Sequence, residues 1–292
     1  MRQRAYRLLD TMRITDGKGF RLKDHDPAST GGLDFEKGHA RELLEQGVEH
    51  LAKLQDMLYA QDRWSVLCLF QAMDAAGKDG AIKHVFSGVN PQGCHVISFK
   101  APGPQALEHD FLWRHSIALP ERGVIGIHNR SWYEEVLVVR VHPEILQHQK
   151  LPPKLIGKRI FEERLADIAA YERYLARQGM VILKFFLNVS KEEQRQRFLS
   201  RIDEPEKNWK FSASDVKERG FWGAYQRAYE QAIRGTAAKH APWYVIPADN
   251  KWFTRLAVVA ALIEKLETLG LSYPKVTKAQ RAALAVAREG LA

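Results

Sequence analysis

The chain has 292 residues, of which 45% are hydrophobic, 10% aromatic and 27% charged. That balance fits a globular protein of one large or two small domains and excludes collagenous, disordered and membrane-spanning classes. Lys and Arg number 44 against 35 Asp and Glu, a formal charge of +9 that favours anionic partners such as nucleic acid, nucleotides or another polyanion. Two cysteines, Cys68 and Cys94, are too few for a disulfide framework or a Cys-based zinc site, so a reducing cytoplasm is the expected location.

Residues 1–34 mix charges with turn formers (Asp16-Gly17-Lys18-Gly19, Ser29-Thr30-Gly31-Gly32) and predict an extended basic N-terminal arm. Charges interrupt Leu8, Leu9, Met12 and Ile14, so no signal peptide is expected. From Phe35 to Tyr59, Ala40, Leu43, Leu44, Val48, Leu51 and Leu54 recur at helical spacing. Trp64–Phe70 is a short, nearly continuous apolar run, the pattern of a strand buried on both faces. Similar runs follow at Cys94–Phe99, Gly123–Ile127, Met180–Val189 and Trp243–Ile246. Helical patterns separate them at Gly80–Phe86, Gln105–Ile117, Ile160–Arg177, Lys191–Ile202, Ser212–Ile233 and Trp252–Leu269. This alternation predicts an α/β fold with a doubly wound parallel sheet flanked by helices. The most apolar stretch, Leu256–Ile263, is less than half of the roughly 20 residues a membrane helix needs, so no membrane partner is expected. A helical tail over 271–292 closes the chain, its helix near Ala279–Arg288 packing on the core or on a second subunit.

Directly after the first buried strand stands Ala72-Met73-Asp74-Ala75-Ala76-Gly77-Lys78-Asp79-Gly80, and a helical pattern follows. Strand, small-residue loop, Gly-Lys and helix are the context of a phosphate loop, in which backbone N–H groups of Ala75–Gly80 and the Lys78 ammonium meet a phosphate. The pattern departs from G-x-x-x-x-G-K-[ST] at Ala72 and Asp79. Asp74 inside such a loop would be repelled by phosphate unless Mg²⁺ lies between them, which marks it as a metal-organising residue. At the end of the third core strand, His128-Asn129-Arg130-Ser131-Trp132-Tyr133-Glu134 faces the same crevice, because ligands bind outside the carboxyl ends of parallel strands. Arg130 suits a transferring phosphoryl group. Asn129 offers a neutral oxygen to Mg²⁺, and Glu134 supplies negative charge one turn after a Ser131 cap. His128 is expected to be structural. Between Lys191 and Arg219 eight basic residues meet seven acidic ones. Arg197, Arg201, Lys207 and Lys210 there, interleaved with Trp209 and Phe211, fit a lid whose inner basic side chains close over phosphates.

Taken together, Ala72–Gly80, Gly88-Val-Asn-Pro-Gln-Gly93, Asn129-Arg-Ser-Trp-Tyr133 and Arg201-Ile-Asp-Glu-Pro-Glu-Lys-Asn-Trp-Lys-Phe-Ser212 resemble the type-two polyphosphate kinase family. The resemblance covers the chain from about residue 35 to about 269. It implies a P-loop kinase fold similar to thymidylate kinase, over 35–270, with a helical lid at about 201–235. It also implies Mg²⁺-dependent transfer, with Mn²⁺ as a substitute metal, of the terminal phosphoryl group between inorganic polyphosphate and a nucleotide. By position, Asp74 and Lys78 match the family's Walker A Asp and Lys, Arg130 its Walker B Arg, and Arg201 or Arg197 its lid arginine. Much of the family has Asp at the place of Asn129. Asn with Glu134 looks like the subgroup called class III, which implies AMP and ADP as acceptors in a homo-oligomer. The expected metal ligands are Asp74, Asn129 and Glu134; no nucleic acid is required. An ATP-dependent nucleoside monophosphate kinase would work without polyphosphate. A nucleic-acid-binding P-loop ATPase would show salt-sensitive DNA or RNA affinity, and a non-catalytic polyphosphate-binding protein would show no turnover.

Overall fold

The five apolar runs of the sequence become five parallel strands. The computed structural model describes residues 2–35 and 37–291. Its helices are α1 (Arg2–Met12), α2 (Lys37–Gln61), α3 (Lys78–Val85), α4 (Pro104–Leu107), α5 (Trp113–Ser116), α6 (Val138–Val141), α7 (Ile160–Arg177), α8 (Lys191–Asp203), α9 (Ala213–Arg219), α10 (Trp222–Thr236), α11 (Lys251–Glu267) and α12 (Lys278–Leu291). The strands are β1 (Arg13–Ile14), β2 (Ser65–Ala72), β3 (Cys94–Ser98), β4 (Ile125–Asn129), β5 (Met180–Asn188) and β6 (Trp243–Pro247), joined in the order β1-β6-β5-β2-β4-β3. All neighbours are parallel except β1 and β6.

Alternation along β2 explains why its sequence shows no polar side. Val66, Cys68 and Phe70 face the core under α1, α2, α3 and α11, while Leu67 and Leu69 face the core under α7 and α10. Each such fully buried aliphatic or aromatic side chain contributes about 1.5–3 kcal/mol. The expected parallel sheet with helices on both faces is therefore observed. β2 lies between β4 and β5, so the chain leaves it towards opposite edges, and a crevice opens at its carboxyl end.

One charge sits inside an apolar run. Lys184 in β5 is fully buried, and its ammonium donates to Glu172 at 2.6 Å, to the Thr236 carbonyl at 2.8 Å and to the Tyr133 hydroxyl at 3.1 Å. A buried ion pair is sustained only when its remaining donors are satisfied in this way.

Three expectations need correction. Residues 1–34 are not an extended arm: α1 packs on α11, β1 pairs with β6 through Arg13–Tyr244 and Ile14–Trp243, and Leu9, Met12, Phe20 and Leu22 are buried. Their apolar side chains are spaced between charges, which masked a segment that contributes to both cores. The helix expected over Gln105–Ile117 is broken into α4 and α5, because Asp110 turns its carboxylate onto the Leu112 N–H at 2.9 Å and starts a new turn. The Ser212–Ile233 pattern likewise divides at Gly220 into α9 and α10. Because Ala228, Tyr229, Ala232 and Ile233 of α10 lie in the core, the lid ends near Gly220 rather than near residue 235.

Candidate active site

The turn after β2 is shaped for an anion. Ala75 and Gly77 adopt left-handed backbone angles, φ 61° and 102°, and α3 starts at the next residue, Lys78. At Gly77 that angle is one that L side chains rarely tolerate, so glycine is required. Alternating handedness in such a turn gathers N–H groups into an anion-binding concavity at a helix N-terminus. Half-buried Lys78 arches back over the loop and donates to the Ala72 carbonyl at 3.1 Å. Burial, followed by the neighbouring Arg130 guanidinium, pushes its pKa down, while Asp74, Glu134 and Asp79 oppose that shift.

Arg197 braces this loop from behind. Its guanidinium is buried and donates to the carbonyls of Ala75 (3.1 Å), Ala76 (2.7 Å), Ala248 (2.6 Å) and Asp249 (3.1 Å) and to Glu193 (2.7 Å). In a trans peptide the N–H points opposite to the C=O, so fixing the Ala76 carbonyl turns the Gly77 N–H the other way. Arg197, for which a phosphate contact is expected, also lines the groove above the loop, and in the structure its guanidinium is engaged by these carbonyls. Arg201, one turn further along α8, is held more loosely, by Asp215 at 3.6 Å and the Lys210 carbonyl at 3.3 Å.

The second half of the site grows from the end of β4. Arg130 has a left-handed backbone (φ 67°), and its N–H bonds to the Phe70 carbonyl at 3.0 Å, which ties this turn to β2. Ser131 caps the following 3-10 turn through the Tyr133 N–H, as the sequence predicts, and Glu134 sits one turn on. Arg130 lies between two carboxylates, 3.4 Å from Asp74 and 3.4 Å from Glu134. Burial works against its charge, but Glu134 and Asp74 outweigh that and hold its pKa above the ordinary value. Gln71, fully buried in β2, donates to Glu134 at 3.0 Å and fixes its second oxygen. Asn129 instead turns its amide nitrogen to Asp79 at 2.6 Å. His128 is buried with Nε2 on the Ala118 carbonyl, and its pKa is lowered to about 4 by burial, which fits the structural role expected of it.

Two grooves meet at this junction and share Asp74, Arg130 and Asp215. The first, about 650 Å³, runs over Ala75–Gly80 and beneath α8 and the Pro205–Lys210 turn, and eight Lys or Arg against three Asp line it. The second, about 430 Å³, reaches the other way between α6 and α9–α10, with Tyr225, Tyr229, Leu137 and Ile145 beside Glu134, Glu144 and Glu218. Lys78, Asp79, Asn129, Arg197, Arg201 and Lys210 fall in the first groove, Glu134 in the second, and Asp74 and Arg130 in both. Sequence reasoning missed Lys100, Lys251, Gln71 and His142. Lys100 follows β3 and Lys251 opens α11, each at the carboxyl end of a parallel strand, so the strand-end rule applied to every strand finds both. Gln71 and His142 carry no motif that separates them from structural residues.

Oxygen donors of this kind fit a hard divalent cation. Among the described residues no group of three or more His, Cys, Asp or Glu side chains forms a cage. Mg²⁺ is suited to such a place, because it commonly keeps waters and takes one or two carboxylates together with substrate phosphates. Also among the described residues, no helix is long and apolar enough to cross a membrane.

Fold and site together define a P-loop phosphotransferase: a phosphate-binding turn at a sheet switch point, with a cationic lid and a carboxylate–guanidinium junction. The model of the polyphosphate kinase 2 family matches residues 34–272, and the chain belongs to that family. It is 54% identical over 256 residues, 87% of this chain and 89% of the relative, to the ADP-polyphosphate phosphotransferase of Rhodopseudomonas palustris. The AMP/ADP-polyphosphate phosphotransferase of Meiothermus ruber is 46% identical over 260 residues, 89% of this chain and 93% of that one. The crystal structure of polyphosphate kinase 2 from Arthrobacter aurescens superposes with a TM-score of 0.86 at 38% identity, covering 96% of each chain.

Proposed function

We propose that the protein transfers the terminal phosphoryl group of inorganic polyphosphate to AMP and ADP, with polyphosphate in the basic groove and the nucleotide in the second. The unlike charge of two grooves that meet at Asp74 and Arg130 carries this reading. A polyanion with about one charge per phosphate needs distributed Lys and Arg along its length. A nucleoside needs apolar and aromatic walls with a few polar groups, the character of the lining around Tyr225 and Tyr229.

In the transfer, an oxygen of the acceptor's terminal phosphate forms a bond to the phosphorus at the end of polyphosphate, and the bond from that phosphorus to the chain breaks. The attacking oxygen is already ionised at neutral pH, so positioning and charge neutralisation dominate the catalysis. Lys78 and the N–H groups of the loop hold the donor's end. Arg130, oriented by Asp74 and Glu134, stabilises the charge moving between the two phosphates, and Arg201 approaches from the lid. Asp74 and Glu134, with the amide oxygen of Asn129, would hold Mg²⁺, which when bound supplies charge neutralisation and orientation of the phosphate oxygens. The reading needs no nucleic acid, and two cysteines that are both free fit a cytoplasmic enzyme.

The test is incubation with Mg²⁺, polyphosphate and AMP, ADP or GDP in turn, with separation of the products. Formation of ADP and ATP from AMP is expected. Products formed with ATP plus a monophosphate, and none with polyphosphate, would contradict the proposal.

A further inference from the structure

One polar side chain interrupts the apolar run at the end of β2. Leu67 and Leu69 precede Gln71 and Met73 follows it, all three in the core beneath α7 and α10, yet Gln71 itself is fully buried. Its amide nitrogen donates to Glu134 Oε1 at 3.0 Å, and its oxygen has no hydrogen-bond partner among the described residues. An unpaired buried acceptor costs stability, so leucine or methionine would suit this face better. What the amide provides is its contact with Glu134.

Three consecutive residues of this strand end hold three parts of the site. The Phe70 carbonyl accepts from the Arg130 N–H at 3.0 Å, the Gln71 side chain holds Glu134, and the Ala72 carbonyl accepts from the Lys78 ammonium at 3.1 Å. Glu134 lines the second groove, but it is thereby fixed to the strand that carries the phosphate turn. With Oε1 taken by Gln71, Oε2 lies 3.4 Å from the Arg130 guanidinium. The residue type matters as much as the contact. A Lys or Arg at position 71 would cancel the charge of Glu134, and a Glu would oppose it. A neutral amide donor fixes the carboxylate and leaves its charge to act on Arg130.

We propose that Gln71 is a positioning residue for acceptor choice, holding Glu134 where it directs Arg130 at the phosphate of AMP. This rests on the reading that polyphosphate phosphorylates both AMP and ADP in the second groove. ADP brings a second phosphate group that helps to orient Arg130 at the junction. AMP brings only one and depends on Glu134 for that orientation. The orientation of Arg130 counts where charge moves between the phosphates, so Gln71 acts on the rate of transfer rather than on nucleotide binding.

Steady-state kinetics of Gln71→Met with saturating polyphosphate tests this, because methionine keeps the length of the side chain and removes the donor. The expected result is a several-fold larger fall in kcat for AMP than for ADP, with KM for AMP unchanged and the thermal midpoint not lowered. In Gln71→Met/Glu134→Ala the loss with AMP should equal that of Glu134→Ala alone, since the two residues act through one contact. Multiplication of two separate losses would overturn the proposal. So would equal losses with both acceptors, the mark of a structural role. Gln71→Leu, which continues the face of Leu67 and Leu69, repeats the measurement; if neither variant folds, the amide is structural and the proposal fails. A wild type that forms no ADP from AMP and polyphosphate would contradict the reaction itself. An active wild type whose preference between AMP and ADP is unchanged in Gln71→Met would overturn this inference alone.

Discussion

The two grooves share one junction yet are built from different parts of the chain and by different physical means. The basic groove takes its charge from strand ends and the lid, and its floor is a backbone turn that Arg197 fixes from behind. The second groove takes its shape from α6, α9 and α10, where Tyr229 is buried in the core and Tyr225 bonds to Glu218 at 2.8 Å. Charge and backbone N–H groups recognise a repeating anion anywhere along its length, whereas side-chain shape recognises one molecule in one place. A donor of variable length and an acceptor of fixed shape can therefore be accommodated by a single enzyme.

The largest effects are expected at the shared junction and the phosphate turn beside it. Lys78→Ala and Asp74→Ala should each lower kcat with every nucleotide by about 10² to 10³-fold with the fold intact; near wild-type rates in either would remove the residue from the reaction. Next is the brace beneath the basic groove. Arg197→Met leaves buried carbonyls without partners, each costing about 1–3 kcal/mol, so urea unfolding should show a loss of roughly 3 kcal/mol or more. Unchanged stability with a higher KM for polyphosphate alone would restore the phosphate contact that the sequence predicts. On the side of the second groove, Glu134→Ala should reduce AMP phosphorylation several-fold more than ADP phosphorylation, because the shorter acceptor brings fewer phosphate oxygens of its own to the metal. Equal losses would remove that role.

The smallest effect concerns a side chain beneath the basic groove. His115 is fully buried against Phe99, its two nitrogens have no hydrogen-bond partner among the described residues, and burial lowers its pKa from 6.5 to about 2. It stays neutral in the folded protein but protonates once unfolded. Its contribution is therefore complete above pH 6.5 and declines as pH falls from there towards 2, by about 1.4 kcal/mol per unit. His115→Phe should flatten the loss of stability between pH 6.5 and 5; an unchanged slope would show that His115 is not the group responsible.

Much of this was legible in the sequence because it is written in local patterns. Five apolar runs gave the strands, and Gly77-Lys78 after one of them placed the phosphate turn. Asn129 to Glu134 lay at a strand end, where the parallel topology sends polar side chains into the crevice. What escaped depended on long-range packing. Nothing local in residues 1–34 reveals that Phe20 and Leu22 belong to a core completed by α10, more than 200 residues later. Arg197 and Arg201 are alike in sequence, one helical turn apart. Both line the groove, and only the fold shows that the first spends its guanidinium on backbone carbonyls while the second is held loosely by Asp215 and the Lys210 carbonyl. Lys184, in a run otherwise apolar, is explained by Glu172 and Tyr133 from other elements.

The division of labour between the grooves is tested most directly by two-substrate steady-state kinetics on Lys207→Ala/Lys210→Ala and Tyr225→Ala. The first should raise KM for polyphosphate several-fold, weaken its salt dependence by about two charges and leave KM for AMP and ADP unchanged. The second should raise KM for the nucleotides and leave that for polyphosphate unchanged. If both variants impair the same substrate, or each impairs the one assigned to the other groove, the account is contradicted.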